Sequence, residues 1–89
     1  MPKFSIDYSK TAQKQLLALS KNKKLLVRLM AIIDDIETDP YSPNYKFERL
    51  KHNLSGYCSK RLDSKNRIIY KVDNGLIIVI IVSVLGHYE

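Results

Sequence analysis

The most informative absences in this sequence concern cysteine, tryptophan and long apolar runs. The chain of 89 residues contains one cysteine, Cys58, and no tryptophan. One cysteine excludes an internal disulfide and any metal site built from several thiolates, and it is typical of a reducing compartment. The longest apolar run, residues 76–82, has seven residues, whereas a membrane-spanning helix needs about 20. No signal-peptide pattern is present, so we expect a cytoplasmic protein without a membrane partner.

The length and composition indicate one small globular domain that occupies residues 1–89. Hydrophobic residues make up 45% of the chain and charged residues 27%, which is typical of a folded protein rather than a disordered one. A chain of this length buries only about 60–65% of its unfolded surface, so its stability margin should be small. A stable binding partner would therefore help it considerably.

Positive charge is abundant and is concentrated in one segment. The chain has 15 Lys and Arg against 9 Asp and Glu, a net charge of +6. Residues 46–67 hold seven cations against two anions, which gives this segment alone a charge of +5. The seven are Lys46, Arg49, Lys51, Lys60, Arg61, Lys65 and Arg67. Clustered cations favour a polyanion such as the phosphate backbone of a nucleic acid, although a solvated basic surface is the simpler alternative.

Hydrophobic periodicity in the first half of the chain predicts a strand followed by two helices. Residues 3–8 alternate between apolar and polar, as in a half-buried strand. Residues 11–19 and 23–38 repeat apolar residues at helical spacing, and Ser9 is a candidate N-cap for the first helix. Asp39-Pro40 should end the second helix, because the residue before a proline disfavours the helical conformation.

The sequence of the second half of the chain predicts strands. Residues 47–52, 57–62, 67–72 and 76–84 are the predicted strands, and Asp73-Asn74-Gly75 is a strong hairpin signal. The last strand is apolar on both faces, so it should lie inside the sheet. The predicted class is α+β, with an N-terminal strand and a two-helix hairpin packed on one face of a twisted, mainly antiparallel sheet of four or five strands. The opposite face would be free and would carry the cations.

RNA cleavage without a metal needs a base for the 2′-hydroxyl, cations that stabilise the charged phosphorane, and an acid for the departing 5′-oxygen. Glu48 is the sole acid between Asp39 and Asp63, although it could equally be an ordinary salt-bridge partner. Arg61 and Arg67 flank a polar turn, and they share a face of the sheet only if the loop between them closes with five residues. No metal-ligand motif is present, and we expect neither a metal nor a cofactor.

The C-terminus offers a second proton-transfer group. His87 and Tyr88 follow the last predicted strand. An imidazole titrates near neutral pH and can act as a general acid, whereas a tyrosine can stack on a base or bind a phosphate. A solitary histidine is more often structural, so the sequence chemistry by itself leaves both readings open. Cys58 has no activating partner and is better explained as a packing residue.

One segment resembles a known family. The run Glu48-Arg49-Leu50-Lys51-His52-Asn53-Leu54-Ser55-Gly56-Tyr57 is similar to the central signature of the YoeB/Txe toxins in the RelE/ParE superfamily. The similarity continues through Ser59-Lys60-Arg61 and Asn66-Arg67-Ile68-Ile69-Tyr70 and ends at His87-Tyr88. It departs from the family in lacking tryptophan, in having Cys58 where an aromatic residue is common, and in extending to Glu89.

The resemblance implies a RelE-like fold and the toxin of a bacterial type II toxin–antitoxin module. Such toxins are endoribonucleases that cut mRNA in the A site of the 70S ribosome and inhibit translation, and a YefM/Phd-type antitoxin holds them inactive. By the same resemblance Glu48 is the general base, His87 the general acid, and Arg67 the residue that stabilises the transition state. The supporting RNA-binding residues are Lys51, Arg61, Tyr88, Arg49 and Lys60. The resemblance also favours a homodimer, although the apolar stripes of the helices could be wholly internal.

Two other functions remain open at this point. Some toxins of the same fold poison DNA gyrase, which needs no acid–base apparatus. A non-catalytic module that binds RNA or the ribosome would use the same basic face and would need neither Glu48 nor His87.

Overall fold

The computed structural model describes residues 4–73 and 75–84, except for the side chains of residues 79–84. Within these residues a five-stranded sheet and two α-helices follow the predicted order. The elements are β1 (Ser5–Tyr8), α1 (Lys10–Leu19), α2 (Lys23–Thr38), β2 (Glu48–Arg49), β3 (Cys58–Arg61), β4 (Asn66–Asp73) and β5 (Leu76–Val84). A 3-10 turn, His52–Leu54, lies between β2 and β3. This arrangement confirms the predicted α+β class.

Both helices begin at side-chain caps. The Ser9 hydroxyl accepts a hydrogen bond from the amide of Ala12 at 3.0 Å, as the sequence predicted, and Asn22 does the same for Leu25 at 3.1 Å. These caps satisfy amides that have no partner inside the helix. The second helix has its predicted bounds and ends before Asp39-Pro40. Neither helix in the described part of the chain is long and apolar enough to cross a membrane.

The strands lie in the order β1-β5-β4-β3-β2. β1 runs parallel to β5, and the three other pairs of neighbours are antiparallel. The apolar strand β5 is paired on both sides, by β1 and by β4. The prediction that it lies inside a mainly antiparallel sheet is therefore confirmed.

The helices cover one face of the sheet. Leu29, Ile32 and Ile36 of α2 are buried in one cluster with side chains of β4 and β5, among them Tyr70 and Ile77. These buried contacts supply most of the hydrophobic stabilisation of so short a chain.

Cys58 belongs to the same buried cluster, which agrees with its predicted packing role. Burial raises the pKa of its thiol, with Arg49 and Lys60 opposing the rise.

The strand predicted for residues 47–52 is much shorter than expected. Only Glu48–Arg49 pairs with β3 as a ladder, and one further hydrogen bond joins the Leu50 amide to the Tyr57 carbonyl at 2.9 Å. The chain then turns away because His52 adopts a left-handed conformation with φ of 59°. Gly56 completes the turn at φ of 94°, a conformation that costs glycine little.

Candidate active site

The register between β3 and β4 brings the two predicted arginines together. Arg61 and Arg67 are direct partners across this antiparallel pair, and direct partners project from the same face of a sheet. The five residues 62–66 lie between them, so the structure selects the alternative in which both arginines share a face. This face is opposite to the one covered by the helices, since Ile68 and Tyr70 alternate with Arg67 and belong to the core.

The turn between the two arginines is held by Asp63. Its Oδ1 accepts hydrogen bonds from the amides of Lys65 at 2.8 Å and Asn66 at 2.7 Å, and from the Asn66 side chain at 3.0 Å. Burial opposes ionisation of this carboxyl, but the hydrogen bonds and the charge of Lys65 outweigh it and hold its pKa below the ordinary value. The turn therefore fixes the register that aligns the arginines.

Glu48 joins the arginines through the neighbouring strand. It pairs with Ser59, which alternates with Arg61 along β3 and therefore lies on the same face. A surface cavity of about 300 Å³ opens at this point. Its lining residues are Lys46, Phe47, Glu48, Ser59, Arg61 and Arg67.

The cavity holds one carboxylate and three cations. None of the described side chains forms a hydrogen bond or an ion pair with Glu48. Arginine presents a planar fork of donors that matches two phosphate oxygens, and a carboxylate can accept a proton. The arrangement can therefore bind a phosphodiester and remove a proton from a neighbouring hydroxyl.

Lys60 does not reach this cavity. Its side chain is fully buried on the other face of β3, and its ammonium donates to Ser42 and Asn44. The prediction that Lys60 belongs to the RNA-binding cations is wrong for this structure, because strand alternation sends Lys60 and Arg61 to opposite faces.

Arg49 is also directed away from Glu48. It pairs with Cys58, whose side chain is in the core, and its guanidinium lies 4.6 Å from the centre of the Tyr41 ring. Such a stacked contact is a stabilising cation–π interaction. Arg49 therefore lies outside the cavity, and because its side chain is exposed its predicted role in RNA binding stays a prediction. Lys51 is exposed and immediately precedes the 3-10 turn, so its predicted role stays a prediction.

The predicted residues at the C-terminus, His87 and Tyr88, lie outside the described residues, as does Glu89. The last described strand ends at Val84, which pairs with Asn66, and Ser83 pairs with Arg67. The backbone of β5 therefore reaches the same end of the sheet as the two arginines.

Three lining residues, Lys46, Phe47 and Ser59, were not among the predicted site residues. A signal was available for Lys46 and Ser59. Lys46 stands two residues before Glu48 in the basic segment, and Ser59 stands two residues before Arg61 in a predicted strand. A spacing of two places both members on one face when the segment is extended.

Comparisons with known proteins agree with the resemblance seen in the sequence. Residues 8–88 match the family model described as YoeB-like toxin of bacterial type II toxin–antitoxin system. A Synechocystis protein named Toxin YoeB is 42% identical over 69 residues, which are 76% of this chain and 77% of that protein. The Toxin YoeB of Escherichia coli strain K12 is 36% identical over 58 residues, 64% of this chain and 69% of that protein.

Solved structures show the same fold. The YoeB–YefM toxin–antitoxin complex from Staphylococcus aureus matches with a TM-score of 0.81 and 27% identity, over 90% of this chain and 94% of the solved one. A YoeB/ParE toxin from Agrobacterium tumefaciens matches with a TM-score of 0.83 over 90% of this chain and 96% of that one, and at 17% identity it supports the fold alone. By its sequence and its fold, this chain belongs to the YoeB-like toxin family of bacterial type II toxin–antitoxin systems.

Proposed function

We propose that this chain is an endoribonuclease that cleaves mRNA in the ribosomal A site and thereby inhibits translation. The observation that carries the proposal is the shared cavity of Glu48, Arg61 and Arg67. A carboxylate surrounded by cations supplies a base and a phosphate clamp at one point. These groups lie on a basic surface, which is suited to binding a nucleic acid.

In the proposed reaction Glu48 takes the proton of the 2′-hydroxyl, and the 2′-oxygen attacks the adjacent phosphorus. Arg67, with Arg61 beside it, stabilises the negative charge that develops on the phosphorane. The bond from phosphorus to the 5′-oxygen then breaks, and His87 donates a proton to that oxygen. The products are a 2′,3′-cyclic phosphate and a 5′-hydroxyl. The arginines supply the positive charge in this scheme, so it requires no metal ion.

The role of His87 is consistent with the length of the chain. Two residues separate it from Val84, and the three residue steps from Val84 to His87 span at most roughly 10 Å. Because Val84 pairs with Asn66 beside Arg67, we propose that His87 and Tyr88 act at the same cavity. Tyr88 would then stack on a base or bind a phosphate, and Lys51 would contribute a further contact to the RNA backbone.

The ribosome is proposed as a partner because the cavity contains few proton-transfer groups. Orientation of a substrate can contribute about 7–11 kcal/mol to lowering a barrier, and a ribosome-bound mRNA would be oriented in this way. We therefore expect slow cleavage of free RNA and codon-positioned cleavage of translated RNA.

We also propose a YefM/Phd-type antitoxin as the regulatory partner. The related S. aureus toxin was solved in complex with YefM and also as a dimer. In this chain the helices leave Leu17, Val27 and Met30 exposed by 72%, 70% and 63%. Large exposed apolar side chains are available for association with a protein.

The experiment is expression of the chain from a tightly controlled promoter, followed by mapping of mRNA 5′ ends. Wild-type protein should produce codon-positioned cuts with 5′-hydroxyl ends, and Glu48→Ala and His87→Ala should abolish them. Asp73→Ala, which changes an exposed carboxylate at the far end of β4, is the matched control and should leave the cuts unchanged.

Two results would contradict the proposal. DNA breaks with intact mRNA would favour a gyrase poison, and growth arrest that neither Glu48→Ala nor His87→Ala alters would favour a protein that only binds RNA or the ribosome.

A further inference from the structure

The buried lysine of β3 is the least expected feature beside the cavity. Lys60 is 0% exposed, and its Nζ donates to the Ser42 carbonyl at 2.8 Å, the Ser42 hydroxyl at 2.9 Å and the Asn44 carbonyl at 2.9 Å. An ammonium has three protons. Each of them therefore has an acceptor in the loop between α2 and β2.

A carboxylate completes this arrangement. Asp35 of α2 lies 3.3 Å from the Lys60 Nζ, and it also accepts hydrogen bonds from the Ser42 hydroxyl at 2.6 Å and the Asn44 amide group at 2.9 Å. Burial opposes ionisation of Asp35, but the hydrogen bonds from Ser42 and Asn44, together with the contact and the charge of Lys60, hold its pKa below the ordinary value. One network thus joins a helix, a loop and a strand.

Stability alone is a weak explanation for such a network. Removing two charges from water is costly, and buried ion pairs can often be replaced by apolar residues without loss of stability. A fully satisfied polar network does, however, define one geometry of the segments that it joins. The position of the loop is therefore the property to consider.

The loop that Lys60 holds leads directly into the cavity. Tyr45 and Lys46, which follow Asn44, have φ of 58° and 52°. Residues other than glycine keep such left-handed conformations only where their surroundings enforce them. The Tyr45 carbonyl accepts a hydrogen bond from the Arg61 amide at 2.7 Å. Immediately afterwards, residues 46–48 line the cavity.

Lys60 also contacts Phe47, the residue that directly precedes Glu48. The Lys60 Nζ lies 5.0 Å from the centre of the Phe47 ring, within the range of a cation–π interaction. Lys60 therefore contacts the loop before the left-handed residues and the ring after them.

We propose that Lys60 is a positioning residue, which holds the loop of residues 42–46 so that Glu48 faces Arg61 and Arg67. The catalytic part of this inference rests on the proposed nuclease function. Lys60 touches no RNA in this role. It acts from the far side of β3, through the loop, on the place of the Glu48 carboxylate.

The test compares Lys60→Met, which keeps the length of the side chain and removes its charge, with Lys60→Arg, which keeps the charge. Lys14→Met, an exposed lysine of α1, is the matched control. Three measurements are made well below the melting temperature of each variant. They are amide hydrogen exchange, single-turnover cleavage of mRNA on programmed ribosomes, and affinity for a 2′-deoxy analogue that cannot be cleaved.

For Lys60→Met we expect exchange of the Arg61 amide to rise by about tenfold or more while the Ile69 amide of β4 stays protected. We expect the cleavage rate to fall by about tenfold to a hundredfold, because small displacements of a reacting group have effects of this size. Affinity for the 2′-deoxy analogue should change less than about twofold. Lys60→Arg should recover part of the rate, and Lys14→Met should match wild type.

Three results would overturn the inference. Unchanged exchange at Arg61 would show that Lys60 does not hold the loop, whether or not the protein is a nuclease. Weaker affinity for the analogue would make Lys60 an RNA contact if the slope of log affinity against log salt concentration also became shallower by about one. A lower melting temperature with an unchanged cleavage rate would make its role purely structural.

If Lys60→Met does not fold, Ser42→Ala provides the same test, because it removes one acceptor of the ammonium and leaves the two carbonyl acceptors in place. It should change exchange and cleavage in the same direction by less. If wild-type protein does not cleave mRNA, the proposed function fails, while the exchange measurement still decides whether Lys60 holds the loop.

Discussion

Two adjacent cations of β3 have opposite surroundings. Arg61 lines an open cavity with Arg67 and Glu48, whereas Lys60 is fully buried among Asp35 and the loop after α2. The two residues have the same formal charge and are neighbours in sequence. Their difference arises from the pleat of the strand, which sends successive side chains to opposite faces.

The comparison shows that a cluster of cations in a sequence is not necessarily a cluster in space. On the open face the positive charges of Arg61 and Arg67 are unpaired among the described side chains and are available to a ligand. On the covered face the positive charge of Lys60 is neutralised internally. Only the first kind contributes to binding of a polyanion, and the second kind determines structure.

The largest expected effect concerns the open face. Glu48→Gln should lower the cleavage rate by about 10²- to 10⁴-fold, since it removes a general base while keeping the shape of the side chain. Stability should change by less than about 0.5 kcal/mol, because Glu48 is exposed. Single-turnover cleavage and thermal unfolding measure the two quantities. Asp73→Asn serves as the control, and a comparable loss of rate in that variant would contradict a specific role for Glu48.

The next effect separates the two cations of β3 by stability. Lys60→Met should lower the free energy of unfolding by about 3 kcal/mol, at the lower end for a broken buried pair, because Asp35 keeps its bonds to Ser42 and Asn44. Arg61→Met should change it by about 0.5 kcal/mol or less. Urea unfolding of both variants makes the comparison, and equal losses would contradict the assignment of the two cations to different faces.

A smaller effect is expected from the core side of β4. The buried hydroxyl of Tyr70 donates to the Pro40 carbonyl at 2.5 Å. Tyr70→Phe leaves this carbonyl without its partner and should cost about 1–3 kcal/mol of stability. The cleavage rate of the folded variant should stay within about threefold of wild type, because the altered atom is on the face away from the cavity. A large loss of rate without a loss of stability would contradict this separation of faces.

The smallest effect concerns acid stability. The folded protein holds the pKa values of Asp35 and Asp63 below the ordinary value of 3.8. A depressed pKa contributes stability that is fully present above the ordinary value and is lost as the pH falls through the folded value. Melting temperature should therefore fall with pH below 3.8, and Asp63→Asn should flatten this dependence. An unchanged slope in Asp63→Asn would show that this carboxylate does not contribute.

Much of the fold could be predicted from the sequence because local patterns determine it. The bounds of α2 and β5 were predicted as observed, since one is a long apolar stripe with a proline stop and the other a run of β-branched residues. The strand after Phe47 was predicted too long. Its end depends on the left-handed conformation of His52, for which the side chain gives no clear local signal.

The candidate site could be predicted in part. Glu48, Arg61 and Arg67 were identified, but the register that joins the arginines depends on how Asp63 closes the turn. Strand alternation already indicated that Lys60 and Arg61 lie on opposite faces. The prediction used the number of cations in the segment and did not assign each cation to a face. The left-handed pair Tyr45 and Lys46 could not be predicted, because its conformation depends on the distant partners Lys60 and Asp35.

The most direct test of a single site is a double-mutant cycle between Glu48→Gln and Arg67→Ala in single-turnover cleavage. Residues that act on one transition state have strongly non-additive effects. If both side chains serve the same phosphodiester, the double variant should be little slower than the slower single variant. If instead the loss of rate in the double variant equals the product of the two single losses, Glu48 and Arg67 act independently. That result would contradict the shared site.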